Sequence, residues 1–183
     1  LLLDVYHHLN VVPFSIRALG LNRVFAVGGG YKYCQLGEGN GFLRFPRDCE
    51  LRPVLTGWFA EYSTLNSEIT GHQVSYDPGP ARFAGATYDP SSHYRAASVF
   101  DFFTRHGLTP ELLREVSQHQ IAALLAALEE INPNPGLLRL DTSIPVKQRA
   151  GFLALKSPSA AAIASALAPL GVHVDSRGQY LRL

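Results

Sequence analysis

Apolar residues along this chain fall into short runs separated by helical stretches and by Gly- and Pro-rich breaks. Residues 1–5, Leu-Leu-Leu-Asp-Val, are an apolar run closed by Asp4, the pattern of a strand buried between helix layers. Residues 13–19 predict a short helix with Pro13 in its first turn and Gly20 at its end. Residues 23–27 return as a second buried strand and lead into Gly28-Gly29-Gly30, where the backbone is expected to turn sharply. A strand–helix–strand unit predicts a mostly parallel, covered sheet. It delivers Asp4 and Tyr31-Lys32 to one sheet edge, and open α/β sheets bind ligands at the carboxyl ends of their strands. Residues 42–45 predict another strand, so the intervening segment reads as a hairpin-like excursion carrying Lys32.

Residues 60–92 lack periodicity and are rich in Ser, Thr, Gly, Pro and Tyr, which predicts long irregular loops. Residues 91–106 predict a helix with Tyr94, Ala97, Val99, Phe100 and Phe103 as its apolar side and Gly107 at its end. Thr109-Pro110-Glu111 places an N-cap before Pro at the first helical position, opening a long helix to about residue 131. Asn132-Pro133-Asn134-Pro135-Gly136 then breaks the chain. Strands are expected at 137–140, 151–155, 172–175 and 179–182, with a helix opened by Ser157-Pro158 and running to about residue 170. The expected organisation is a larger α/β portion over 1–131 and a small α+β domain over 132–183.

Composition narrows the classes. With 183 residues, 46% of them hydrophobic, and a mean hydropathy of +0.03, the chain can bury one good core or two small ones. Sixteen Lys and Arg against 15 Asp and Glu give a net charge of +1, which offers no electrostatic basis for nucleic acid or an acidic membrane as partner. No apolar run approaches the roughly 20 residues of a membrane span. Cys34 and Cys49 stand in no metal-type spacing, so no zinc or other metal site is expected, and reduced thiols suggest a cytoplasmic setting. His72, His93, His106, His119 and His173 show no pair at ligand spacing and read as surface or satisfied core residues. The chain opens and closes on apolar strands, so it is expected to be a fragment of a longer protein.

The candidate chemistry lies at the sheet edge. A lysine set among tyrosines and glycines at a strand end is poorly hydrated, and desolvation is what lets an amine act as a nucleophile or form a Schiff base. Read alone, Lys32 is more readily a loop-tip charge, and Asp4 is equally a helix cap. Together an acid (Asp4), a histidine (His7), a lysine (Lys32) and an aromatic donor (Trp58) are the parts of a pyridoxal phosphate site. There the lysine anchors the cofactor and a carboxylate keeps its pyridine nitrogen protonated.

The motif series resembles the second half of kynureninase, a fold-type I pyridoxal phosphate enzyme of the class V aminotransferase group. The series is Asp4-Val5-Tyr6-His7, Gly30-Tyr31-Lys32-Tyr33 with Gly37 and Gly39, Gly57-Trp58-Phe59, and Arg82-Phe83 leading to Thr87. Asp-x-x-His ahead of Tyr-Lys is shared across class V enzymes, whereas Gly-Trp-Phe and Tyr-Lys-Tyr lean toward kynureninase. Cys34-Gln35-Leu36-Gly37-Glu38-Gly39-Asn40 departs from the family's Leu-Asn-x-Gly-Pro-Gly, and His8 is an extra histidine.

The resemblance implies that Lys32 carries the cofactor, Asp4 holds its pyridine nitrogen and His7 sits beside it. By the same resemblance Tyr31 and Trp58 reach its phosphate, Thr87 contributes from the neighbouring subunit of a homodimer with shared sites, and Arg182 clamps the substrate carboxylate. Lys32, Asp4 and Tyr31 are the implied catalytic residues. The implied reaction is hydrolysis of the Cβ–Cγ bond of L-kynurenine, or its 3-hydroxy derivative, to anthranilate (or 3-hydroxyanthranilate) and alanine. Within the same group stand an aminotransferase or a cysteine desulfurase or lyase acting on another amino acid. A non-catalytic homologue using the fold for assembly is the alternative of another class.

Overall fold

The computed structural model describes residues 1–68 and 71–183; residues 69 and 70, within the predicted loop region, lie outside it. Two compact units divide the chain, Leu1–Tyr6 with Phe14–Phe100 and His7–Pro13 with Asp101–Leu183.

In the first unit, β1 (Leu2–Asp4) pairs parallel with β2 (Phe25–Gly29), Leu2 opposite Phe25 and Asp4 opposite Val27. β3 (Gly41–Arg44) adds antiparallel to β2, with Gly28 opposite Phe42 and Gly29 opposite Gly41. The expected parallel unit and hairpin are both present, and the sheet order is β1-β2-β3. With one pairing of each kind, this sheet is mixed rather than mainly parallel. Its first strand is also not sandwiched between layers as its composition predicts: β1 lies at the edge, with Leu1 81% and Leu2 59% exposed.

Residues 13–19 form no helix. One turn is made, Leu19 N–H donating to the Ser15 carbonyl at 3.0 Å, and the chain then closes through Gly20 at φ +67°. So short a segment, opened by a proline without an N–H, does not repay the cost of helix nucleation. Short 3-10 turns at Trp58–Thr64 and Gly79–Phe83 are the regular structure of the predicted loop region.

Helix α1 (Ser91–Arg105) forms as expected and ends at Gly107, φ +64°, but with a different inward face. Ala96 is buried, while Tyr94 and Phe100 are 75% and 53% exposed. Ser92, Arg95 and Ala96 share one helical face by their spacing, and Ser92 and Arg95 bond the loop that follows Lys32. These polar anchors, rather than the aromatic stripe, set the rotation of the helix.

In the second unit, α2 (Pro110–Ile131) begins at Thr109, whose hydroxyl accepts from Leu112 N–H at 3.2 Å, and ends at Asn132 in the left-handed region. Four strands, β4 (Arg139–Leu140), β5 (Ala154–Lys156), β6 (Asp175–Arg177) and β7 (Tyr180–Arg182), form an antiparallel sheet of order β4-β5-β7-β6. α3 (Ala160–Leu167) packs on it, and Leu155, Ala160 and Leu181 form the core. Leu128 of α2 packs against that same core. The long segment of the second compact unit begins at Asp101, within α1, and includes α2 together with this sheet. No helix among the described residues is long and apolar enough to cross a membrane.

Candidate functional site

The carboxyl ends of β1 and β2 carry the predicted acid and lysine to one edge. Val5 N–H donates to the Val27 carbonyl at 2.9 Å, so the parallel pairing runs one residue past Asp4. Asp4 is exposed, and its Oδ1 accepts from Tyr6 N–H at 2.9 Å. It thus caps a local turn, which fixes the carboxylate at the strand end. Its second oxygen takes no hydrogen bond among the described residues.

Gly28 and Gly29 are the last residues of β2, not a turn. A Cβ on Gly28 would stand 2.8 Å from Phe42 Cζ and from Val5 Cγ2. On Gly29 it would meet the Tyr6 ring at 2.6 Å, and on Gly30 it would meet Leu36 Cδ1 at 2.3 Å. The three glycines are required by neighbours that press on the backbone, and protein side chains fill the space above them.

The excursion carrying Lys32 is closed at its base by Gly30 N–H to the Asn40 carbonyl at 3.0 Å and Leu36 N–H to the Gly30 carbonyl at 2.9 Å. Helix α1 holds its outer side. Arg95 Nε donates to the Leu36 carbonyl at 2.6 Å, Arg95 Nη2 donates to the Glu38 carbonyl, and Ser92 Oγ donates to the Gly39 carbonyl at 3.1 Å. Gly37 and Gly39, at φ +67° and +92°, are pressed by these same two side chains. A cleft of about 580 Å³ lies beside this contact, lined by Glu38, Tyr88 and His93 among others.

Lys32 is half-buried, with Nζ 5.5 Å from the Tyr31 ring centroid and 5.8 Å from that of Tyr6. The two rings are 5.6 Å apart. Tyr6 is therefore the residue that joins Asp4 to Lys32: its N–H binds the acid, its ring meets the amine, and its body covers Gly29. The sequence motif contains Tyr6, but no spacing signals this role. Arg95 was equally hidden, because its partners lie 57 and 59 residues away.

Trp58 and Thr87 are exposed, and the backbone brings their segments together. Phe59 N–H donates to the Gly85 carbonyl at 3.0 Å, and a Cβ on Gly57 would stand 2.4 Å from that carbonyl. The Trp58 ring packs on Phe59, centroids 4.3 Å apart.

In the second unit, His7 and Arg182 share one neighbour. The His7 ring meets Phe152 edge-on at 5.8 Å, and the Arg182 guanidinium lies 5.3 Å from the centroid of the same ring. Arg182 Nη2 is also ion-paired with Asp175 Oδ2. Burial, with the nearby Arg114 charge adding to it, lowers the pKa of His8; burial pushes the Cys34 thiol up. Among the described residues no three His, Cys, Asp or Glu side chains come together as a metal site would need.

No protein-family model and no curated protein sequence matches the chain. Solved structures do. The apo structure of a cysteine desulfurase from Thermococcus onnurineus NA1 is similar with a TM-score of 0.73 at 15% identity, over 99% of this chain and 46% of that one. A lysine-to-alanine variant of C-DES with glycine covalently linked to its PLP cofactor is similar with a TM-score of 0.72 at 19% identity, over 96% of this chain and 44% of that one. The chain thus has the fold of the matched part of these structures, and it spans less than half the length of the structures it matches. That agrees with the fold implied by the sequence resemblance and does not separate kynureninase from its relatives.

Proposed function

We propose that the chain supplies the lysine-bearing part of the active site of a pyridoxal-phosphate-dependent class V enzyme that acts on an amino acid. The observation that carries this reading is the shared edge: Asp4 at the end of β1 and Lys32 just beyond the end of its parallel neighbour β2. The residues fit such a cofactor. An amine between two aromatic rings and a carboxylate with one uncommitted oxygen are the donor set that an aldehyde and a pyridinium need.

When bound, the cofactor supplies an electron sink for a carbanion beside the amino group. Lys32 would hold the cofactor through its amine, and the same amine, when free, would serve as the base that moves the α-proton. Asp4 would accept the hydrogen bond of the protonated ring nitrogen, and His7 would assist at its side. Tyr31 Oη and Trp58 Nε1 would donate to the phosphate, joined by Thr87 from the second subunit of a homodimer. Arg182 holds the substrate carboxylate, whose two oxygens match its planar fork.

The finer reading is kynurenine hydrolysis, yielding anthranilate and alanine, and it rests on Gly57-Trp58-Phe59 and Tyr31-Lys32-Tyr33. The similarity to cysteine desulfurase structures favours a cysteine-directed reaction as the second reading. Against it, burial pushes the pKa of the Cys34 thiol up, which disfavours the thiolate, the form that attacks sulfur. The test supplies the chain with pyridoxal phosphate and offers L-kynurenine and L-cysteine separately. Anthranilate fluorescence supports the first reading; cofactor absorbance with sulfide and no anthranilate supports the second. Unchanged cofactor absorbance in Lys32→Ala removes both.

A further inference from the structure

Arg182 is held in place by more than its backbone. It ends β7, directly opposite Asp175 in β6 and Ala154 in β5. The Phe152 ring lies against the guanidinium, and Asp175 Oδ2 takes Nη2. The Arg182 side chain is 21% exposed and that of Asp175 52%. Among the described residues the guanidinium makes no other hydrogen bond, so one donor is committed and the rest of the fork remains available. Arg177, itself 77% exposed, approaches the same Asp175 oxygen at 3.6 Å.

We propose that Asp175 and Phe152 are positioning residues for Arg182, fixing its guanidinium so that the uncommitted side of the fork meets the substrate carboxylate. This rests on the reading of Arg182 given above. The physical argument is preorganisation. A long arginine side chain loses rotamer freedom when it clamps a ligand, and a ring face plus one fixed acceptor removes that freedom before the ligand arrives. An ion pair this exposed contributes little to folding. Arg177, near the same Asp175 oxygen, adds a second positive charge beside it, which limits the repulsion of an incoming carboxylate.

The test uses the full chain loaded with pyridoxal phosphate, titrated with L-alanine and with L-alaninamide, which lacks the carboxylate, following cofactor absorbance. Asp175→Asn and Phe152→Leu are expected to weaken L-alanine by about three- to tenfold, the ordering cost of one long side chain. L-alaninamide should stay within about twofold, and Asp175→Glu should restore L-alanine. A cofactor-free arm reads the Arg182 Nη resonances by NMR, which should be distinct in the parent chain and averaged in Asp175→Asn. Equal weakening of both ligands, or tighter L-alanine binding in Asp175→Asn, overturns the proposal. If Arg182→Gln leaves L-alanine binding unchanged, the assignment of Arg182 fails and the positioning role falls with it. That outcome is distinct from Asp175→Asn failing while Arg182→Gln behaves as expected.

Discussion

The Tyr6 ring seals the backbone of Gly29, approaching so closely that a Cβ there would stand 2.6 Å from Tyr6 Cε1. Gly29→Ala must therefore displace the ring that meets Lys32. The expected cost is about 1–3 kcal/mol, the range for overpacking a filled site, measured by urea denaturation. Combining it with Tyr6→Leu should recover part of that loss, since the two changes share one contact. A double variant that simply adds the two losses would mean that the clash is elsewhere.

Thr109 caps α2 through its hydroxyl, and the helix ends at Asn132 in the left-handed conformation. Thr109→Ala should lower stability by about 1 kcal/mol, read from the denaturation midpoint, with Thr109→Ser close to the parent.

Leu155 is 1% exposed within the core that α2, α3 and the four-stranded sheet share. Leu155→Ala should cost about 2–5 kcal/mol. Hydrogen exchange should report faster opening in α2 as well as in the sheet, since Leu128 packs on that core. An effect confined to the sheet would contradict the grouping of α2 with it.

The second unit was largely legible because its signals are local: Thr109-Pro110 opens α2, Asn132 closes it, and apolar runs mark β5 and β7. Two local expectations gave way to tertiary packing. The aromatic stripe of α1 faces outward because Ser92 and Arg95 bond a loop more than 50 residues earlier in the chain. The glycine run that ends β2 is a packing device rather than a turn, demanded by Tyr6, Phe42 and Leu36 from three separate segments. Asp4 and Lys32 were legible as a pair because parallel pairing of adjacent strands sends both to one edge. The link between them through Tyr6 was not, because it depends on where a ring points.

His8 supplies a pH dependence. Burial and Arg114 hold its pKa below the ordinary histidine value of about 6.5, so the unfolded chain takes up the proton first. The stability it contributes is present above about pH 6.5 and is lost as pH falls through the lower folded value. Between pH 7 and pH 5 the parent chain should lose more of its melting temperature than His8→Gln does. Equal losses would show that His8 does not titrate on unfolding.

The central claim, that Lys32 is the covalent anchor of a cofactor, can be tested among few competitors, for the chain has three lysines: Lys32, Lys147 and Lys156. Incubation with a stoichiometric amount of pyridoxal phosphate, borohydride reduction and peptide mapping by mass spectrometry would locate the label. The account predicts the reduced adduct on Lys32, with the exposed Lys147 and the half-buried Lys156 essentially unmodified. Label distributed over all three lysines, or absent from Lys32, would contradict it.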